Sequence, residues 1–108
     1  MNIKDVKTWK GAVEFTAYKY STVARRRALR DTCGFCCIAN KRDKDCPACP
    51  VYPVTACYGF WNFYLRRTRV HEIFTAVRAK VNVFSARNIR AALIKELKPK
   101  EREKFIDS

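Results

Sequence analysis

The sequence predicts a mainly α-helical protein of three to four helices around a central cysteine-rich metal knuckle, with no substantial sheet. Three observations carry that expectation. Apolar residues recur at three-and-four spacing on both sides of the chain's middle. Five of the six cysteines fall between positions 33 and 49. No stretch alternates long enough to make a strand, since Val81-Asn82-Val83 is too short to overturn a helical reading. At 108 residues the whole of 1–108 reads as a single domain.

The first element is a helix expected over about 3–30. Ile3, Val6, Val13, Ala17, Tyr20, Ala24 and Ala28 form one apolar stripe. Gly11 weakens the middle of the stretch and admits a bend near Lys10-Gly11. The end, Arg25-Arg26-Arg27-Ala28-Leu29-Arg30, puts cations where a helix dipole favours them.

The second element is the knuckle over 31–57. Pro47, Pro50 and Pro53 remove backbone donors and forbid a long helix there. Gly34 supplies a permissive backbone for a tight turn between Cys33 and Cys36. Lys41-Arg42-Asp43-Lys44-Asp45 reads as a solvated loop tip. The third element is a helix over about 60–84, with Val70, Ile73, Phe74, Val77, Val81 and Phe84 on one face. Tyr58-Gly59-Phe60-Trp61-Asn62-Phe63-Tyr64 extends its apolar side toward the knuckle. The last element covers about 86–106, with Ser85 as N-cap and Ile89, Leu93 and Leu97 inward. Lys98-Pro99 interrupts it, and Pro99 can open a short final helix.

The cysteines follow the pattern C-x2-C-x9-C-x2-C, as Cys33, Cys36, Cys46 and Cys49. Two such hairpins face to face supply four thiolates in the tetrahedral arrangement of a structural zinc ion. A bound zinc would contribute on the order of 10 kcal/mol to folding, a large sum for so small a core. An iron–sulfur cluster is the second option, since Cys49-Pro50 is reminiscent of cluster-binding pairs, though the closely spaced ferredoxin run is missing. Oxidised bridges and metal-free thiols are the others, and Cys37 or Cys57 could stand in for one of the four ligands. His71 is most simply a helix-surface or core-edge residue. No catalytic constellation stands out: there are only three glycines and no phosphate-cradling loop, and the glutamates are scattered. The chain reads as no enzyme, with no small-molecule substrate evident.

The order Cys33-Gly-Phe-Cys36, a polar loop, Cys46-Pro-Ala-Cys49-Pro50-Val51, then Cys57 and an aromatic run resembles small cysteine-rich proteins of tailed bacteriophages, mostly without assigned function. The likeness covers the middle third of the chain. Cys37 and the basic flanks depart from it. It implies a viral protein working in a host bacterial cytoplasm, and no particular chemistry.

The charge is the remaining signal. With 23 Lys+Arg against 10 Asp+Glu, the net charge is +13, which opposes compaction and points to a polyanionic or acidic partner. The 48% hydrophobic and 13% aromatic content excludes a disordered basic tail. Arg25, Arg26, Arg27 and Arg30 precede the knuckle, Lys41 and Arg42 sit at its tip, and Arg66, Arg67 and Arg69 follow it. Brought together, they would grip phosphates, with modest sequence preference because no base-reading motif is visible. Nucleic acid, DNA or RNA, is the first expected partner; an acidic surface of a host enzyme or complex, blocked or redirected by the chain, is the alternative. No apolar run reaches the length of a membrane span, and Met1-Asn2-Ile3-Lys4-Asp5 is no signal peptide, so a cytoplasmic protein without a membrane partner is expected.

Overall fold

The computed structural model describes residues 1–42, 49–52, 54 and 69–98. Among them lie five α-helices: α1 (Trp9–Lys19), α2 (Val23–Ala28), α3 (Gly34–Arg42), α4 (Arg69–Lys80) and α5 (Ala86–Glu96), preceded by a 3-10 turn at Ile3–Asp5. No strand occurs among the described residues, so the mainly α class holds. α1 is the hub. It packs against α3 and α4 and touches α2, while α5 packs on the far side against α4.

The first expected helix is broken into three pieces, and the breaks have local causes. Thr8 Oγ1 accepts the Gly11 N–H at 3.1 Å, and Thr22 Oγ1 accepts the Arg25 N–H at 3.1 Å. Each threonine is extended and caps a new helix. The bend therefore falls at Tyr20–Thr22, and Gly11 sits inside the first turn of α1. Val6, Val13, Ala17 and Tyr20 keep the predicted inner stripe. Ala24 and Ala28, beyond the break, are exposed because α2 no longer follows the face of α1.

α3 occupies the first half of the expected knuckle. Gly34 is helical, and what requires a glycine there is space: a Cβ would stand 3.1 Å from Ala12 Cα. Lys41 and Arg42, expected at a loop tip, are the last residues of α3. Phe35, fully buried, lies 6.3 Å from Trp9 and 5.4 Å from Phe74, centroid to centroid. Aromatic pairs of this kind contribute about 0.5–1.5 kcal/mol each beyond their buried area. One side chain thus ties α3 to both α1 and α4. Cys49, Val51 and Val54 are also buried in this core.

α4 buries Val70, Ile73, Phe74 and Val77, the predicted face. It stops at Lys80, short of the expected 84. Val81 and Phe84 still pack against the core from the connection that follows. Ser85 caps α5 as predicted, accepting the Asn88 N–H at 3.1 Å, and Ile89, Leu93 and Leu97 point inward. α5 ends at Glu96, and its cap Leu97 turns extended, two residues ahead of Pro99 in the sequence. The expected stretches 60–68 and 99–106 lie outside the described residues. Polar pins close the packing: Lys80 pairs with Glu96, Arg69 donates to the Glu96 carbonyl at 3.1 Å, and Arg78 lies 3.6 Å from Glu14.

Candidate functional site: a cysteine pair and a basic helix

Cys33 stands at the start of α3, and its carbonyl accepts the Cys37 N–H at 3.0 Å. Cys36 follows one turn later, so the two side chains rise from the same helix end. Their side chains share a hydrogen bond. That bond, then burial, then the negative charge of Cys36, hold the Cys33 thiol far above the ordinary thiol range. Both cysteines remain partly exposed. The backbone beneath them is clamped by the close approach of Gly34 to Ala12 and by Phe35 in the core.

Lys19 completes this corner. Its ammonium is buried and donates to the Thr32 carbonyl at 2.6 Å and the Arg30 carbonyl at 3.4 Å. Burial lowers its pKa below the usual 10.5, and attraction to the ionised forms of Cys33, Asp31 and Cys36 offsets part of that. The cation therefore sits within electrostatic reach of both sulfurs. Sequence reasoning passed over Lys19, which carries no motif. Only the chain turning back after α2 brings it beside residues 30–36.

The expected four-sulfur knuckle is not assembled by the described residues. Among them no three His, Cys, Asp or Glu side chains form a group that could hold a metal ion. Cys33 and Cys36 are spent on the start of a helix packed against α1, whereas Cys49 is buried in the core. Cys46 and the stand-in Cys57 lie outside the described residues. Cys37, the other stand-in, points its sulfur at the Val6 carbonyl, 4.0 Å away. Among the described residues Cys33 and Cys36 thus share one helix end, and the full tetrad lies partly outside them.

The arginines divide sharply. Arg25, Arg27 and Arg30 are exposed along and just beyond α2, while Arg26 is buried. Arg25 lies 4.2 Å above the Tyr18 ring and donates to Ser21 Oγ at 2.7 Å, which fixes its guanidinium in place. Arg30 has a loose partner among the described residues, Asp31 at 3.8 Å, with both side chains largely in solvent. Arg69 is half-buried and engaged with Glu72 and the Glu96 carbonyl, so its role is to brace α4. Arg66 and Arg67 lie outside the described residues, as do the side chains of Lys41 and Arg42. A second set of exposed cations, Arg87, Lys95 and Lys98, runs along α5 and was not singled out from the sequence. Its signal was present: the outer positions of that helix carry no acid, because Glu96 turns toward Lys80.

His71 Nδ1–H donates to the Ala17 carbonyl at 2.7 Å. That carbonyl belongs to the last turn of α1, where no intrahelical donor remains. The histidine is thus a cross-helix cap at the core edge. Among the described residues no helix is long and apolar enough to cross a membrane. No protein-family model matches the chain, and no curated protein or solved structure matches it either.

Proposed function

We propose that the chain is a nucleic-acid-binding module that grips phosphates through α2, with modest sequence preference and no catalytic role. The observation that carries this reading is the division of the α2 arginines. Arg25 and Arg27 face solvent from α2 while Arg26 is buried, and Arg30, just beyond the helix, is exposed beside a loosely paired Asp31, on a chain of net charge +13. Exposed guanidinium groups in such surroundings suit bidentate contacts to phosphate oxygens. Arg25 is pre-oriented by Tyr18, which reduces the ordering cost of such a contact. The outer face of α5 supplies further positive charge for a polymer to follow.

Phosphate-dominated binding releases counterions, so affinity falls steeply as salt rises. Fluorescence anisotropy with labelled single-stranded and duplex DNA and RNA, from roughly 50 to 200 mM salt, reads this directly. A linear fall of log affinity with log salt on at least one polymer supports the proposal. Absent or salt-insensitive binding to all of them overturns it. One protein partner that survives nuclease treatment of the purified material would then favour the acidic host surface as the target.

A further inference from the structure

We propose that Cys33 and Cys36 are a reversible dithiol–disulfide couple, oxidised and reduced in place at the start of α3. Residues three apart in a helical turn hold their Cα atoms about 5 Å apart, within the range a disulfide spans. Here the Cys37 N–H bonds to the Cys33 carbonyl at 3.0 Å, which closes the turn and sets both side chains at one helix end. Both are partly exposed, so a small thiol or disulfide reaches them; Cys49, by contrast, is 4% exposed.

The surroundings suit such a couple in three ways. The backbone carrying the pair is fixed on both flanks, by Gly34 against Ala12 and by Phe35 between Trp9 and Phe74. Oxidation therefore needs side-chain rotation and leaves the core alone. The helix start places partial positive charge beneath the sulfurs. Lys19 adds a full cation close by, held by two backbone carbonyls. The helix start and the lysine both favour the attacking thiolate, against the Cys36 hydrogen bond and the burial that raise the Cys33 thiol.

The step balances with a small disulfide of the glutathione class as oxidant. One cysteine sulfur attacks the oxidant's S–S bond, forms a mixed disulfide and releases one small thiol. The second cysteine sulfur attacks the protein sulfur of that mixed disulfide and releases the other. The protein loses two electrons and two protons. The oxidant gains them as two thiols. A small thiol in excess reverses both steps.

The test uses the intact chain, equilibrated natively in buffers of varied oxidised-to-reduced glutathione ratio, then alkylated under denaturing conditions and mapped by fragment-ion mass spectrometry. The expected result is a single reversible transition in which Cys33 and Cys36 lose alkylation together and appear as one linked pair. Cys37 and Cys49 stay fully alkylated. Linkage of either residue to another cysteine overturns the proposal. So does alkylation of both at every ratio, whether from bare thiols or from sulfurs held by a metal found in the same sample. Wild-type mapping needs no variant to fold; Cys37→Ser, where it folds, is expected to leave the midpoint unchanged.

Discussion

The buried ammonium of Lys19 donates to the carbonyl of Thr32 at 2.6 Å and thereby fastens the C-terminal end of α1 to the segment that leads into α3. Twelve residues intervene, including all of α2, so this bond fixes where the chain returns to the core. Removing it has a definite cost. Lys19→Met keeps the aliphatic stem but leaves the Thr32 and Arg30 carbonyls without the lysine donor. The expected loss is about 1–3 kcal/mol in urea unfolding. Unchanged stability would mean that water replaces the lysine.

The same lysine sets a pH dependence. Burial lowers its folded-state pKa below the 10.5 of the unfolded chain. Between those two values the unfolded chain binds more protons, so the lysine makes stability rise as pH rises through that window. Deprotonated Lys19 still has two N–H donors for its two carbonyls, so the bonds are kept while the buried charge is lost. The gap between the unfolding free energies of wild type and Lys19→Met, measured under reducing conditions at a series of pH values below 10.5, is expected to be smallest at the acid end of the window and to widen as pH rises through it. Parallel curves would show that the lysine titrates normally.

Two glycines are expected to respond with opposite signs. At Gly11 a Cβ would meet Thr8 Oγ1 at 3.5 Å and Val6 Cα at 3.7 Å, which is ordinary contact inside a helix. Gly11→Ala is expected to stabilise the chain by about 0.5–1 kcal/mol. At Gly34 the Cβ would stand 3.1 Å from Ala12 Cα and 3.4 Å from the Ala12 carbonyl oxygen, and backbone cannot step aside cheaply. Gly34→Ala is expected to cost about 1–3 kcal/mol and to loosen α3 from α1. Thermal unfolding of the two variants side by side checks both signs.

This contrast also shows what could be read from the sequence and what could not. The inner faces of α4 and α5 were legible because Val70, Ile73, Phe74, Val77, Ile89, Leu93 and Leu97 repeat at helical spacing, and Ser85 announces its own cap. Those signals are local. The break at Tyr20–Thr22 had a local signal too, the capping Thr22, but the apolar stripe running through it favoured continuity. Gly34 and Lys19 carry no local signal. A glycine between two cysteines suits a metal-binding turn as well as a close helix crossing, and only Ala12 on α1 decides between them. The Cys33, Cys36, Cys46 and Cys49 spacing suits two turns and does not announce the helix that begins at Gly34. Its second hairpin is only partly within the described residues, and the first is a helix start.

His71→Phe is expected to cost about 1 kcal/mol, because it removes the donor to the Ala17 carbonyl while keeping the ring's bulk between α1 and α4. His71→Gln, which retains an N–H donor, is expected to recover part of that loss. Equal losses in both variants, by urea unfolding, would show that ring packing and not the hydrogen bond is what α1 needs there.

The division among the α2 arginines gives the sharpest test of the nucleic-acid reading, because neighbours in sequence must behave differently. Arg27 is exposed and touches no described acid, whereas Arg26 is buried. If α2 grips phosphates, Arg27→Ala removes one contact. The slope of log affinity against log salt then becomes shallower by about 1, with stability unchanged. Arg25→Ala is expected to do the same, with an added affinity loss because the Tyr18-held guanidinium is already oriented. Arg26→Ala removes packing from the interior, so it should lower unfolding stability and leave the slope of the folded fraction where it was. A slope that changes equally for Arg26 and Arg27 would mean that total charge, and not the exposed face of α2, governs binding. The grip would then have to be sought along α5, where Arg87→Ala and Lys95→Ala would carry the effect instead.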